Sequence, residues 1–122
     1  MAAPNILSAT SIYGKQVGAA LDTTTTTSLL ANTASSDKLL KINSIIVSNV
    51  DGSSAADLTL SWYDGSNDRH LAKAVSVPAK STLIVLGKDA PIYLEESDKI
   101  EAGASANSDL QITISYEELD DA

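Results

Sequence analysis

The stretch Leu110-Gln-Ile-Thr-Ile-Ser-Tyr116 decides how the rest of the chain is read. Successive side chains of a strand point to opposite faces. Leu110, Ile112, Ile114 and Tyr116 therefore form an apolar face, and Gln111, Thr113 and Ser115 a polar one. An amphipathic helix would repeat its apolar positions about every three or four residues, and this stretch does not.

The same alternation extends outward. Ala56 to Tyr63 places Leu58, Leu60 and Trp62 on one face and Thr59, Ser61 and Tyr63 on the other, which predicts that Trp62 is inside. Lys38 to Val50 is long enough to span a sheet, but its apolar residues change parity: Leu40, Ile42 and Ile46 against Ile45 and Val47. A bulge near Ser44, or burial on both faces, would account for the change. Asp51-Gly-Ser-Ser54 and Asp64-Gly-Ser-Asn-Asp68 carry turn residues and read as hairpin loops. Arg69 to Val77 reads as a strand ended by Pro78, Ser81 to Leu86 as a buried strand, and Pro91 to Leu94 as a short one. In the stretch from Lys99 to Ala106, Ile100, Ala102, Ala104 and Ala106 share a face small enough for a second sheet or a neighbouring subunit to come close.

The ends are less strongly patterned. Ile6, Leu7, Ile12 and Val17 are scattered around two glycines, Gly14 and Gly18, and the threonine run Thr23 to Thr27 leads toward an edge strand ending at Leu29 and Leu30. A flexible arm is the other reading of this region. Glu117 to Ala122 reads as an acidic, frayed tail. The expected architecture is all-β: one antiparallel β-sandwich of about eight strands, jelly-roll or Ig-like. Its expected limits are an arm over 1–12, a sandwich domain over 13–118 and an acidic tail over 119–122.

Composition supports one such domain. The 122 residues are 43% hydrophobic and 20% charged, enough apolar surface to offset the entropy of ordering the chain. Phe is absent and Trp occurs once, so Ile, Val, Leu and Ala must build the core. The formal charge of −8 opposes binding to nucleic acid or to an anionic membrane. The absence of cysteine rules out a disulfide framework and thiolate metal sites. A leader with a basic region and apolar run is not visible, nor is an apolar stretch long enough to span a bilayer.

Signals for chemistry are sparse. His70 is the only histidine, so a pair of imidazoles cannot hold zinc, and the expectation is a surface or interface position on the parity of Ala72 and Ala74. The nucleophile signature Gly-x-Ser-x-Gly is missing, and Gly103-Ala-Ser-Ala-Asn107 comes nearest. Phosphate-cradling glycine loops are also missing. Glu95, Glu96, Asp98 and Glu101 cluster in sequence and read as charged turn residues rather than as a hydrolytic pair. Asp64, Ser66 and Asp68 alternate as oxygen ligands of a hard cation do. Arg69 and Val75, however, stand where a calcium loop of the EF-hand type needs glycine and glutamate, which leaves a loose ion shared with Asp51 or Asp57 as the open alternative. No catalytic, cofactor-binding or metal-ligating residue is expected.

The segments Lys41-Ile-Asn-Ser-Ile-Ile-Val-Ser-Asn-Val50, Val77-Pro-Ala-Lys-Ser-Thr-Leu-Ile-Val85, Ile92-Tyr-Leu-Glu-Glu-Ser-Asp-Lys-Ile100 and Ile112-Thr-Ile-Ser-Tyr-Glu-Glu118 resemble the small β-sandwich virion proteins of tailed bacteriophages, cyanophages above all. The resemblance covers Gly14 to Glu118 and rests on framework strands and turns. It implies a non-enzymatic structural protein on the particle surface, a capsid decoration or cement protein bound to the major capsid protein or another virion protein. It further implies a homo-oligomer, a trimer in the simplest case, with residues 1–12 reaching a neighbouring subunit. A tail, neck or fibre component is one alternative. A glycan- or receptor-binding module using Tyr13, Tyr63 and Tyr93 is another.

Overall fold

A computed structural model describes residues 11–87 and 89–120. Nine strands follow in order: β1 (Ser11–Ala20), β2 (Ser28–Ala31), β3 (Lys38–Asn49), β4 (Ala56–Tyr63), β5 (Asp68–Val77), β6 (Thr82–Leu86), β7 (Ile92–Leu94), β8 (Lys99–Ala104) and β9 (Leu110–Asp120). They form two antiparallel sheets. Sheet A has the order β1-β9-β3-β6, with β7 also paired to β3, and sheet B has the order β2-β8-β4-β5. The chain alternates between the sheets so that early and late strands interleave in each, which is the jelly-roll arrangement. Strands β6 and β7 meet β3 at Ile45–Ser48 and Leu40–Ile42 respectively, so they act as one edge strand in two pieces.

The core lies between the sheets. Ile42, Ile45, Val47, Leu110, Ile112 and Ile114 from sheet A meet Leu58, Leu60, Ile100, Ala102 and Ala104 from sheet B, all buried. Each large aliphatic side chain buried this way contributes about 1.5–3 kcal/mol. With so few aromatics, branched side chains on two pleated faces fill the space. The decisive stretch behaves as its alternation predicts: Leu110, Ile112 and Ile114 face inward, and Tyr116 packs on the cluster. Trp62 is also against the core but only half-buried, with its indole Nε1 donating to Asp98 Oδ2 at 3.3 Å.

The parity change in β3 is a bulge. Ile42 pairs with Tyr116 and Ser44 with Ser115, so Asn43 is the extra residue. It rotates the strand so that Leu40 and Ile42 before it, and Ile45 and Val47 after it, all point inward.

Several expectations need correction. The Asp51–Ser54 loop does not close a hairpin: it carries the chain from β3 in sheet A to β4 in sheet B. Turn-rich composition fits a crossing loop as well as a hairpin. Of the two loops, the Asp64–Asn67 segment does close a hairpin, β4 to β5, with Gly65 at a φ of 92°. Strand β6 is not buried. As an edge strand it alternates in exposure, and Ile84 is 65% exposed. The tail assigned to 119–122 is strand through Asp120, because Leu119 is buried between β1 and β3. The arm assigned to 1–12 gives up Ser11 and Ile12 to β1, and its remaining residues lie outside those described.

Close approach occurs on both faces of β8: the alanine face packs against sheet A as its small side chains predict, and the opposite face meets a loop. Ala102 and Ala104 face the core, whereas Gly103 on the opposite face meets the threonine run. The Ala102 and Ala104 N–H groups donate to Thr27 O and Asp22 O, which holds that run along the β8 edge. A Cβ at residue 103 would collide with Thr24 O and lie 2.6 Å from Thr25 Cα. Gly103→Ala must therefore displace backbone, and it should lower the urea midpoint while leaving the denaturant slope unchanged. Ile114→Ala should cost about 2–5 kcal/mol in the same urea titration, as large-to-small core substitutions do.

Candidate functional site

The residues flagged for chemistry do not converge. His70 lies on edge strand β5 and is exposed. Register shifts in the β4–β5 pairing place it opposite Ser61 while Ala72 sits opposite buried Leu60, so His70 and Ala72 face opposite ways and the expected shared parity is broken. On the outer face of sheet B, Ser28, Glu101, Ser61 and His70 form one cross-strand row. A serine nucleophile needs an imidazole that receives its proton and a carboxylate that orients the imidazole. Here the carboxylate is engaged elsewhere: Glu101 Oε2 pairs with Lys99 Nζ at 3.3 Å, and the Asp68 carboxyl lies close enough to raise its pKa.

The loop proposed for a cation uses its oxygens internally. Asp64 Oδ1 accepts the Ser66 and Asn67 N–H groups at 3.0 and 2.8 Å, and Oδ2 accepts Arg69 Nε at 3.1 Å. The Asn67 N–H, the Arg69 guanidinium and the Ser66 N–H hold the Asp64 carboxyl below its ordinary range. Asp68 turns to Glu101, Asp51 Oδ2 accepts the Ser54 N–H, and Asp57 sits at the far end of β4. Among the described residues, no three His, Cys, Asp or Glu side chains are placed to hold a metal. The described residues likewise contain no helix long and apolar enough to cross a membrane.

The acidic run 95–101 is more than a set of solvated turn residues. Asp98 is buried and its Oδ2 accepts both the Glu95 N–H and the Trp62 indole. Glu96 Oε2 accepts the Asp37 N–H at 2.9 Å, while its Oε1 is buried without a partner. Two asparagines that no sequence signal singled out act similarly at the ends of β3. Asn32 Nδ2 donates to Lys38 O and Leu94 O at 2.8 and 2.9 Å, and Asn49 Nδ2 donates to Ser54 O and Val77 O at 3.0 and 2.8 Å. Buried amides that satisfy several backbone groups fix loop geometry. Their only signal in sequence is an uncharged polar residue beside a strand end.

The three tyrosines do not form a sugar platform. Tyr13 is on β1 with Lys15 Nζ 5.9 Å from its ring centroid, Tyr63 is on β4 with Lys99 Nζ at 4.9 Å, and Tyr93 is on β7. Two lie in sheet A on strands separated by β9 and β3, and the third lies in sheet B.

What the fold does assemble is a face. Cross-strand partners share a side of the sheet, so the outer side of sheet A can be followed row by row. One row carries Ala20, Gln111, Ser48 and Thr82. The next carries Gly18, Thr113, Ile46 and Ile84, and a third Gln16, Ser115 and Ser44. Beyond the bulge come Gly14, Glu117, Lys41 and Tyr93. In a chain of net charge −8, these rows carry one acid and one base, Glu117 and Lys41, 3.9 Å apart. Asn43 Nδ2 also donates to Glu117 at 3.1 Å, and the bulge borders a shallow depression of about 320 Å³ lined by Gly14, Gln16, Asn43, Ser115 and Glu117 among others. Ile84 stands 65% exposed at the other end of this surface.

The chain matches no protein-family model and no curated protein.

Glu101 supplies a test of how the opposite face is built. Burial is the main cause that raises its pKa, Asp68 adds to the rise, and Lys99 opposes it. Below the ordinary value of 4.5, Glu101 is protonated folded or unfolded. Between 4.5 and the raised folded value only the folded chain holds the proton, so stability falls as pH rises through that window. Glu101→Gln should remove this downward slope and be at least as stable as wild type at neutral pH, measured by urea unfolding across the range.

Proposed function

We propose that the protein is a non-enzymatic structural component of a tailed-phage virion, a decoration or cement protein that docks on the capsid lattice through the outer face of sheet A. The observation that carries this reading is the nearly uncharged, open face on an otherwise acidic molecule. Interface cores are depleted in charge, and a flat sheet of Ser, Thr, Gly and Gln with Ile46 and Ile84 can be dehydrated at little electrostatic cost. The jelly-roll arrangement recurs in viral capsid proteins, which supports the reading by analogy of fold only. The strand segments that resemble phage virion proteins include β3 and β9, which build the middle of this face. A rigid domain repeated over a lattice gains affinity from its many copies, so a modest contact per copy suffices.

The experiment is rebinding. Purified protein should bind particles of the encoding phage from which it has been stripped, at a fixed number of copies per capsid subunit. Ile84→Glu combined with Ile46→Lys should reduce that binding at least tenfold with unchanged thermal stability. Absence of the protein from purified particles, or undiminished binding by the double variant, would overturn the reading. Labelling on the tail instead of the head would move the docking site to a tail or neck component.

A further inference from the structure

The four edges of the two sheets are not alike. Strand β2 has four residues and an irregular register. Strand β5 is broken by two register shifts, carries Arg69 and Lys73, and holds Ala74 at a φ of 51°. The interrupted β6/β7 edge consists of five and three residues, with a register shift and Pro91 before the second piece. Short strands, bulges, lysines and prolines are the devices that keep an edge from pairing with another chain.

Strand β1 has none of them except a single lysine. It runs for ten residues, pairs with β9 along its whole length without a shift, and contains no proline. Its other side has no strand partner among the described residues. Ile12 and Tyr13 are 57% and 50% exposed on it, and nothing lies within 4 Å of where a Cβ of Gly14 would be.

We infer that this edge pairs with β1 of a second copy of the chain, antiparallel about a two-fold axis, joining the two copies of sheet A into one continuous sheet. An isologous pair must be self-complementary. With the axis normal to the sheet, paired residues share a face, so the axis passes through a residue rather than between two. Near the middle of β1 the choices are Lys15 and Gln16. An axis through Lys15 sets the ammonium opposite its own copy, and like charges directly opposite are destabilising.

An axis through Gln16 sets an amide, which both donates and accepts, opposite an amide. In that register Gly14 faces Gly18, Ile12 faces Ala20, Tyr13 faces Ala19 and Lys15 faces Val17, so the one charge of the strand never meets itself. Lys15 remains free to hold Glu118, at 3.2 Å within its own copy. The net charge of −8 disfavours association in general, but β1 itself carries no acid. The dimer also extends the uncharged outer face of sheet A across the axis. It does not depend on the capsid reading, because a solution dimer that ignores particles would leave it standing.

The test combines mass and crosslinking. Light scattering after size exclusion should give twice the 12.7 kDa monomer mass at submillimolar concentration, and Gln16→Lys, which sets like charges across the axis, should return the monomer. The chain has no cysteine, so Gln16→Cys should form a single intermolecular disulfide under mild oxidation, whereas Lys15→Cys should not. Circular dichroism of each variant establishes that it is folded. A folded monomer for the wild type, a trimer, a dimer that survives Gln16→Lys, or equal crosslinking at both positions would each overturn the inference.

Discussion

The fold turns on one inserted residue, Asn43. Strand β3 is the hub of sheet A, paired on one side with β9 along nearly its whole length and on the other with β7 and then β6. A regular strand of this sequence could send only one of its two apolar sets inward, Leu40 with Ile42 or Ile45 with Val47. The bulge turns both sets inward, so β3 contributes buried side chains at both ends of the sandwich. It also aims the Asn43 amide at Glu117 on the outer face, where it hydrogen-bonds the one acid of those rows beside its ion pair with Lys41.

The two outer faces then diverge for reasons seated in the connections. On sheet B the threonine run lies against Gly103, and the neighbouring Glu101 is dehydrated enough that burial dominates its titration. Lys99, Asp68 and Tyr63 crowd the same side. On sheet A, by contrast, the described residues of the middle rows are half-buried or exposed, with Ser, Thr, Gly and Gln on display. Most of the acidic side chains belong to loops and strand ends, which keeps the open face nearly free of charge.

Polar ties at the strand ends hold the sandwich together. Asn32 and Asn49 bracket β3, each bonding backbone carbonyls from two directions. Asp98 ties the turn before β8 to Trp62 on β4. Buried and satisfied groups of this type cost little, whereas removal of one partner would leave a desolvated orphan worth about 1–3 kcal/mol. The ties replace the cross-links that a cysteine-free domain of this size lacks.

Alternation by itself determined the class of the fold, because a period of two can be satisfied only by strands that hide one face. Leu110 to Tyr116 and Ala56 to Trp62 were legible for that reason, and the parity change between Ile42 and Ile45 located the β3 bulge to within a residue. Local pattern does not say which strands become neighbours, since that depends on contacts distant along the chain. Tertiary structure alone decided that the Asp51 loop changes sheets, that Ser81 to Leu86 forms an edge, and that Leu119 is held between β1 and β3. The same holds for function. Sequence offered one histidine and no familiar nucleophile or phosphate-loop motif, but the nearly uncharged face comes into being only when Gly18, Thr113, Ile46 and Ile84, from four strands, are set side by side.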